Sequence, residues 1–86
     1  MKYTYQLFAD NAGGLHLAVL DSNDRCVYYL TDLDQELVRA TLADLKAGGD
    51  PIEDCWEGGE DDPEECYRAI QRLVEARNGG AEEVEE

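Results

Sequence analysis

Residues 3–31 contain three short runs of β-forming residues, and this pattern constrains the fold more than any other feature of the chain. The runs are separated by polar turns, and the glycines of the first turn can adopt positive φ. Short turns of this kind join antiparallel neighbours. The pattern therefore predicts a three-stranded meander with strands Tyr3–Ala9, Leu15–Leu20 and Arg25–Leu30 and turns Asp10–Gly14 and Asp21–Asp24.

The turn lengths also predict the register of the strands. The first turn pairs Ala9 with Leu15, Leu7 with Leu17 and Tyr5 with Val19, and the second pairs Leu20 with Arg25, Val19 with Cys26 and Leu17 with Tyr28. A slip of one residue would exchange the two faces of a strand, so a clean separation of apolar from mixed positions supports this register. The predicted core face is Tyr3, Tyr5, Leu7, Leu15, Leu17, Val19, Cys26, Tyr28 and Leu30. The opposite face, with Phe8, His16 and Tyr29, is predicted to be more open.

Two helices are predicted after the strands. The first begins near Thr31 or Asp32, with Asp32 and Gln35 as a capping box, and ends at the glycines 48–49. The second has Asp62 as its N-cap and Pro63 as its first helical residue. Apolar residues recur at helical spacing in both helices. They are Leu37, Val38, Thr41, Leu42 and Leu45 in the first and Cys66, Tyr67, Ile70, Leu73 and Val74 in the second.

The predicted fold is α+β. An antiparallel sheet of three to four strands carries two helices packed on one face, in the order βββα(β)α, where the optional strand is Ile52–Trp56. A chain of 86 residues can bury one modest core but has little room for a deep cleft. We expect residues 1–80 to form a single domain and the acidic residues 81–86 to form a disordered tail.

Charge bears most directly on function. The chain has 21 acidic residues against seven basic ones, a net charge of −14. Nine of the sixteen residues in Asp50–Glu65 are acidic and none is basic. This balance disfavours direct binding to nucleic acid or to an anionic membrane and favours a basic partner. The start of the chain has no apolar signal-peptide core and no segment approaches transmembrane length, which predicts a cytoplasmic protein.

In size and composition the chain resembles the small acidic proteins that phages and mobile elements use as nucleic-acid mimics, including anti-restriction and anti-CRISPR inhibitors. The resemblance rests on length, net charge and the run Asp50–Glu65, and it involves no sequence motif. It implies a non-enzymatic domain that binds a basic, nucleic-acid-binding protein and blocks its surface. Carboxylates would replace phosphates, which carry about one charge per 1.7 Å of duplex. The predicted partner-binding residues are Asp50, Glu53, Asp54, Trp56, Glu57, Glu60, Asp61, Asp62, Glu64 and Glu65.

Other interpretations of the same residues remain open. The acidic run is also typical of a solvated loop, with Asp62, Glu64 and Glu65 serving the helix N-terminus, or of adaptation to salt. Trp56 is either an apolar anchor for a partner or part of the core. A second candidate function is an interaction or oligomerisation module, such as a homodimer, that uses the open sheet face around Phe8, His16 and Tyr29.

No catalytic, cofactor or metal motif is present in the sequence. The three cysteines, Cys26, Cys55 and Cys66, lack CxxC spacing, and we expect them to be small buried apolar residues. The acidic loops lack the EF-hand pattern, which leaves only weak cation binding as a third candidate function. Acid–base catalysis by paired carboxylates needs a shielded pocket. We therefore predict no enzymatic activity, no cofactor and no metal.

Overall fold

The protein is an α+β fold built on one antiparallel sheet. The computed structural model describes residues 3–48, 62–76 and 79–84. The elements are β1 (Thr4–Asp10), β2 (Leu15–Leu20), β3 (Cys26–Asp32), α1 (Gln35–Lys46), α2 (Pro63–Glu75) and β4 (Ala81–Val84). The strands form a sheet in the order β3-β2-β1-β4, and every neighbouring pair is antiparallel. The predicted fold class and the meander are confirmed.

The β1–β2 hairpin has the predicted register. Ala9 lies opposite Leu15, and the other two predicted pairs are also present. Asp10 organises the turn, because its Oδ1 accepts hydrogen bonds from the backbone N–H groups of Ala12 at 2.9 Å and Gly14 at 2.8 Å. Gly13 has a φ of 89°, a conformation that favours glycine. The polar turn therefore sets the pairing that the sequence predicts.

The predicted β2–β3 register is wrong, because the turn is one residue longer than predicted and β3 contains a bulge. Val19 pairs with Tyr28 and Leu20 pairs with Cys26, so Val27 is an extra residue on β3. Counting turn residues assumes an unbroken ladder, which an inserted residue violates. The longer turn, residues 21–25, moves Cys26 from the predicted core face to the opposite face, where it packs in a cluster with Leu20. The bulge then returns Tyr28 to the predicted core face, opposite Val19.

The sheet carries a separate apolar cluster on each face. Leu7 and Phe8 are consecutive residues of β1, so their side chains point to opposite faces, and they belong to different clusters. The α1-side cluster consists of Leu7, Leu15, Leu17, Val19, Tyr28, Val38, Leu42 and Leu45. The α2-side cluster consists of Phe8, Ala18, Leu20, Cys26, Tyr67, Ile70 and Ala81.

The two helices consequently pack on opposite faces, and the expectation that both share one face needs correction. The physical reason lies in β2, where Leu17, Ala18 and Val19 are fully buried and Leu20 is 3% exposed. A strand that is apolar on both sides loses the hydrophobic contribution of one side unless each face is covered. α1 covers one face and α2 covers the other.

The helix starts agree with the sequence for α2 and differ for α1. Asp62 is the N-cap of α2, and its side chain accepts a hydrogen bond from the backbone N–H of Glu64 at 3.0 Å, as predicted. The N-cap of α1 is Asp34 and not Asp32. Asp32 is still the last residue of β3, and its carboxylate accepts the backbone N–H of Asp34 at 2.9 Å.

Residues 81–84 form strand β4, which corrects the prediction of a disordered tail for that part of the chain. β4 pairs with β1, with Ala81 opposite Asp10 and Val84 opposite Leu7. Ala81 is 7% exposed, and Val84 packs against the α1-side cluster. Burial of these two apolar side chains holds an otherwise acidic segment on the sheet. Residues 85–86 and the optional strand Ile52–Trp56 lie outside the described residues.

Candidate functional site

The predicted partner-binding residues fall into two groups. Asp62, Glu64 and Glu65 lie at the N-cap and in the first turn of α2, where carboxylates interact favourably with the helix dipole. The other members of the set lie outside the described residues, and they are Asp50, Glu53, Asp54, Trp56, Glu57, Glu60 and Asp61. The described part of the candidate site therefore consists of the start of α2 and the residues around it.

The first turn of α2 lies against the turn that joins β2 to β3. Glu64 makes the contact, because its Oε2 accepts the backbone N–H of Cys26 at 2.8 Å. Its Oε1 lies 3.3 Å from the guanidinium of Arg68, which forms an i,i+4 ion pair with it on the helix. An open cleft of about 460 Å³ lies between the two elements, and it is lined by Asp21, Arg25, Cys26, Val27, Asp62, Glu64 and Arg68.

This junction concentrates carboxylates from two separate parts of the sequence. We refer to Asp21, Asp24, Asp62, Glu64 and Glu65 as the acidic end. Asp21 and Asp62 line the same cleft, although they are far apart in the chain. Asp24 belongs to the same turn as Asp21, and Glu65 belongs to the same helical turn as Glu64. From the sequence, Asp21 and Asp24 are predicted only as turn residues, and nothing local indicates that this turn lies beside the start of α2.

Backbone hydrogen bonds hold most of the acidic end in place. Asp21 Oδ1 accepts the N–H groups of Asn23 at 2.8 Å and Arg25 at 3.1 Å, which fixes the β2–β3 turn. Asp24 and Glu65 are exposed, and neither side chain forms a hydrogen bond or ion pair with another residue in the part of the chain that the structure describes. These two carboxylates are exposed and not engaged by another described residue, so they are the most accessible to a partner.

The residues flanking segment 49–61 lie at the same end of the sheet. α1 ends near the start of β1, since the Tyr5 hydroxyl donates to the carbonyl of Leu45 at 3.4 Å. The start of β1 is next to the end of β2, because Thr4 pairs with Leu20. The N-cap of α2 lies beside the turn that follows Leu20. The end of α1 and the start of α2 therefore lie toward the same end of the sheet.

A second polar cluster lies at the other end of β2, on the face of the α2-side cluster. His16 connects two side chains, with Nδ1 2.6 Å from the hydroxyl of Tyr29 and Nε2 2.6 Å from Oδ2 of Asp10. A neutral imidazole with its proton on Nε2 satisfies all three groups, because Tyr29 donates to Nδ1 and Nε2 donates to Asp10. We refer to Asp10, His16 and Tyr29 as the His16 network.

The surroundings of this network shift the pKa values of Asp10 and Tyr29. The hydrogen bond from His16, followed by the backbone N–H of Gly14, holds the pKa of Asp10 below its usual value. Burial raises the pKa of the Tyr29 hydroxyl, so this group remains a donor across the physiological range. The predicted register could have revealed the network, because Asp10 lies diagonally across from His16 on the same face of the hairpin.

The predicted open face around Phe8, His16 and Tyr29 is covered at Phe8. Phe8 is 3% exposed, and its ring lies 6.2 Å from the ring of Tyr67 on α2. The Tyr67 hydroxyl donates to the side chain of Gln6 at 3.0 Å, which anchors the helix over this face. Phe8 therefore offers no surface to a second molecule, while His16 and Tyr29 bond to each other.

We expect Asp10→Asn to remove a pH-dependent part of the stability. The pKa of Asp10 is lower in the folded protein than the ordinary value of 3.8. Its carboxylate therefore stabilises the fold above that value, and the contribution is lost as pH falls through the folded pKa. Urea midpoints measured from pH 6 to pH 2.5 should differ most between wild type and variant at the upper end. The exposed Asp44→Asn is the control, and an equal change there would contradict the assignment.

The described residues contain no group of three or more His, Cys, Asp or Glu side chains placed to hold a metal ion. Burial raises the pKa of Cys26 to about 12. Its thiol is therefore protonated at neutral pH, and the thiolate is the nucleophilic form.

Comparison with protein-family models, with curated proteins and with solved structures finds no match for this chain. Within the described ranges, neither helix has the length and apolar character needed to cross a membrane.

Proposed function

We propose that this protein is a non-enzymatic, acidic protein-binding domain that blocks a basic, nucleic-acid-binding surface on its partner. The observation that carries the proposal is the acidic end. Two chain segments that are distant in sequence bring their carboxylates together there, and backbone hydrogen bonds hold Asp21, Asp62 and Glu64 in fixed positions. Fixed charges can match a partner's basic groups at a smaller entropic cost than mobile ones.

Exposure of charge on the rest of the molecule supports the same function. No charged side chain among the described residues is buried. The charge of these residues therefore acts at the surface. The net charge of −14 of the whole chain accelerates encounters with a basic partner and repels nucleic acid. A protein that performs this role in a cell would work in the cytoplasm, next to the nucleic-acid-binding protein that it inhibits.

Local positive charge at the acidic end limits how closely it can resemble a nucleic acid. Arg25 and Arg68 line the same cleft as Asp21 and Glu64, and Arg68 is paired with Glu64. The most effective carboxylates are therefore Asp24 and Glu65, which are exposed and not neutralised by a bonded partner in the described parts of the chain. These two residues provide the sharpest test.

We expect Asp24→Asn with Glu65→Gln to weaken partner binding by about 3- to 10-fold and to reduce its dependence on salt, because exposed ion pairs contribute about 0.2–1 kcal/mol each. The partner is first recovered from the native host by affinity capture with a salt gradient. It must then bind duplex DNA or RNA, and the acidic protein must displace that nucleic acid. Calorimetry at two salt concentrations gives the affinities.

The matched control is Glu36→Gln with Glu75→Gln, which removes the same charge from exposed positions on α1 and α2. We expect this control to change the affinity less than twofold, because the two removed charges act on the partner only through the long-range electrostatic field. A partner that handles no nucleic acid would overturn the proposal. Equal losses in the two double variants would show that total charge matters and that the acidic end does not.

A further inference from the structure

The outer edge of β4 is a second candidate binding surface, because its backbone groups can form hydrogen bonds with another chain. The sheet order places β4 at an edge, with β1 as its partner. An edge strand presents a row of backbone donors and acceptors that another extended chain can pair with. At the opposite edge, the N–H of Cys26 in β3 is already bonded to the side chain of Glu64. The two edges of the sheet therefore differ in what they offer.

The direction of the backbone groups in β4 follows from the hydrogen bonds of its neighbours. Asp10 directs its N–H to Gly14 on the β2 side, and Asn11 directs its N–H to Gly80 on the β4 side. Backbone groups alternate in direction along a strand, so Ala9 bonds toward β4, as Asn11 does.

The register between β1 and β4 extends this alternation to the edge. Ala9 lies opposite Glu82 and Leu7 lies opposite Val84, so these two residues of β4 use their backbone groups on β1. Ala81 and Glu83 direct their N–H and C=O groups away from the sheet. No residue in the described part of the chain pairs with them there.

Charge determines which chain can use this edge. Glu82 and Glu83 are exposed and lie on opposite faces of β4, so an added strand would meet a carboxylate on either face. Opposite charges across strands stabilise pairing, and like charges directly opposite destabilise it. A second copy of this protein would place glutamate against glutamate. A strand rich in lysine or arginine would place a cation beside each carboxylate.

We infer that the outer edge of β4 is a docking site for an extended, basic peptide segment of a partner protein, which adds a strand to the sheet. The segment would bond to the backbone of Ala81 and Glu83, and its basic side chains would pair with Glu82 and Glu83. Main-chain hydrogen bonds provide the affinity in this mode of recognition, and the side chains provide selectivity. The inference rests on the proposed function only for the sign of the partner's charge.

The test uses the whole protein and a synthetic peptide of eight residues that alternates lysine with valine or threonine. Binding is followed by amide chemical shifts and by the apparent Kd. The matched control peptide has the same side chains and charge, but its backbone is N-methylated at every residue, so that neither of its edges can donate hydrogen bonds to β4. We expect shifts and slowed amide exchange at Ala81 and Glu83, and about tenfold weaker binding of the N-methylated peptide.

Protein variants separate pairing from simple charge attraction. Glu83→Pro removes the outward N–H and leaves the ladder to β1 intact, so it should weaken the unmodified peptide about tenfold. Glu82→Gln with Glu83→Gln should weaken binding about 3- to 10-fold, and Glu36→Gln with Glu75→Gln less than twofold. Amide spectra of each variant verify the fold, and the N-methylated peptide tests the inference even if Glu83→Pro unfolds.

Three outcomes would overturn this inference. They are equal affinity for the two peptides, shifts confined to Asp24 and Glu65 at the acidic end, and no binding of the unmodified peptide. None of these outcomes bears on the proposed function, which is tested by partner binding of the Asp24 and Glu65 variants and by displacement of nucleic acid. If the Asp24 and Glu65 variants lose partner binding but keep their affinity for the unmodified peptide, the acidic end and the edge of β4 are independent surfaces.

Discussion

Replacing Phe8 by alanine is expected to lower the free energy of unfolding by about 3–5 kcal/mol, the usual cost of removing a buried aromatic side chain. Phe8 is 3% exposed and lies between the sheet and the ring of Tyr67. The substitution would leave a cavity under α2 and expose the remaining apolar residues of the α2-side cluster. Chemical denaturation followed by Trp56 fluorescence or by circular dichroism measures the change.

This result would separate a covered sheet face from an open one. On an open face the same substitution would cost less than about 0.5 kcal/mol, as surface substitutions usually do. The half-exposed Leu37 provides the control, and its replacement by alanine should have a small effect. If Phe8→Ala leaves no folded protein to measure, the more conservative Phe8→Leu should give a measurable loss. A negligible change in both Phe8 variants would contradict the packing of α2 on this face.

Leu17→Ala is expected to destabilise the protein by about 2–5 kcal/mol, through the other cluster. Leu17 is fully buried on β2, the strand that lies between β1 and β3, and it belongs to the α1-side cluster. Its removal leaves a cavity between the sheet and α1 that the surrounding β-strands can close only partly. Urea unfolding at neutral pH gives the difference in free energy.

The control for Leu17 is the same substitution at Leu33, which is 73% exposed. The two substitutions remove the same atoms, so their difference isolates burial. We expect Leu33→Ala to change the midpoint little. Similar losses at the two positions would show that Leu17 does not pack as described.

The β1–β2 hairpin was predictable because its information is local. The turn Asp10–Gly14 contains both the carboxylate that caps the turn and the glycine that takes positive φ, and the pairing of Ala9 with Leu15 follows. The β2–β3 pairing was not predictable from turn length, because the extra turn residue Arg25 and the bulge at Val27 both depend on packing. In the observed pairing, Cys26 is buried against residues of α2 that lie far along the chain.

The position of α2 illustrates a second limit. Spacing of Tyr67 and Ile70 shows that the helix has a buried side, but it does not show which sheet face that side contacts. The position of α2 was indicated by β2. Its apolar residues point to both faces of the sheet, so each face requires a helix to cover it. β4 was missed for a related reason: Ala81 and Val84 provide few apolar contacts, and the glutamates between them are typical of a solvated tail.

The candidate site was predictable in its charge and in the start of α2, where Asp62 is the N-cap as expected. The meeting of Asp21 with Asp62 was not, since it depends on which side of the sheet α2 occupies. The predicted register could have indicated the His16 network. Its hydrogen bonds, however, depend on rotamers that place Tyr29 and Asp10 at the two ring nitrogens of His16. Both features depend on tertiary geometry, which local sequence patterns do not specify.

The division of the apolar residues into two clusters affects how the chain assembles during synthesis. Every buried member of the α1-side cluster lies between Leu7 and Leu45, so the first half of the chain can complete that cluster before the second half is made. The α2-side cluster needs Tyr67, Ile70 and Ala81. Until those residues emerge, a nascent chain exposes Phe8 and Leu20 to the solvent. Repulsion between strongly anionic nascent chains then keeps them apart during that interval.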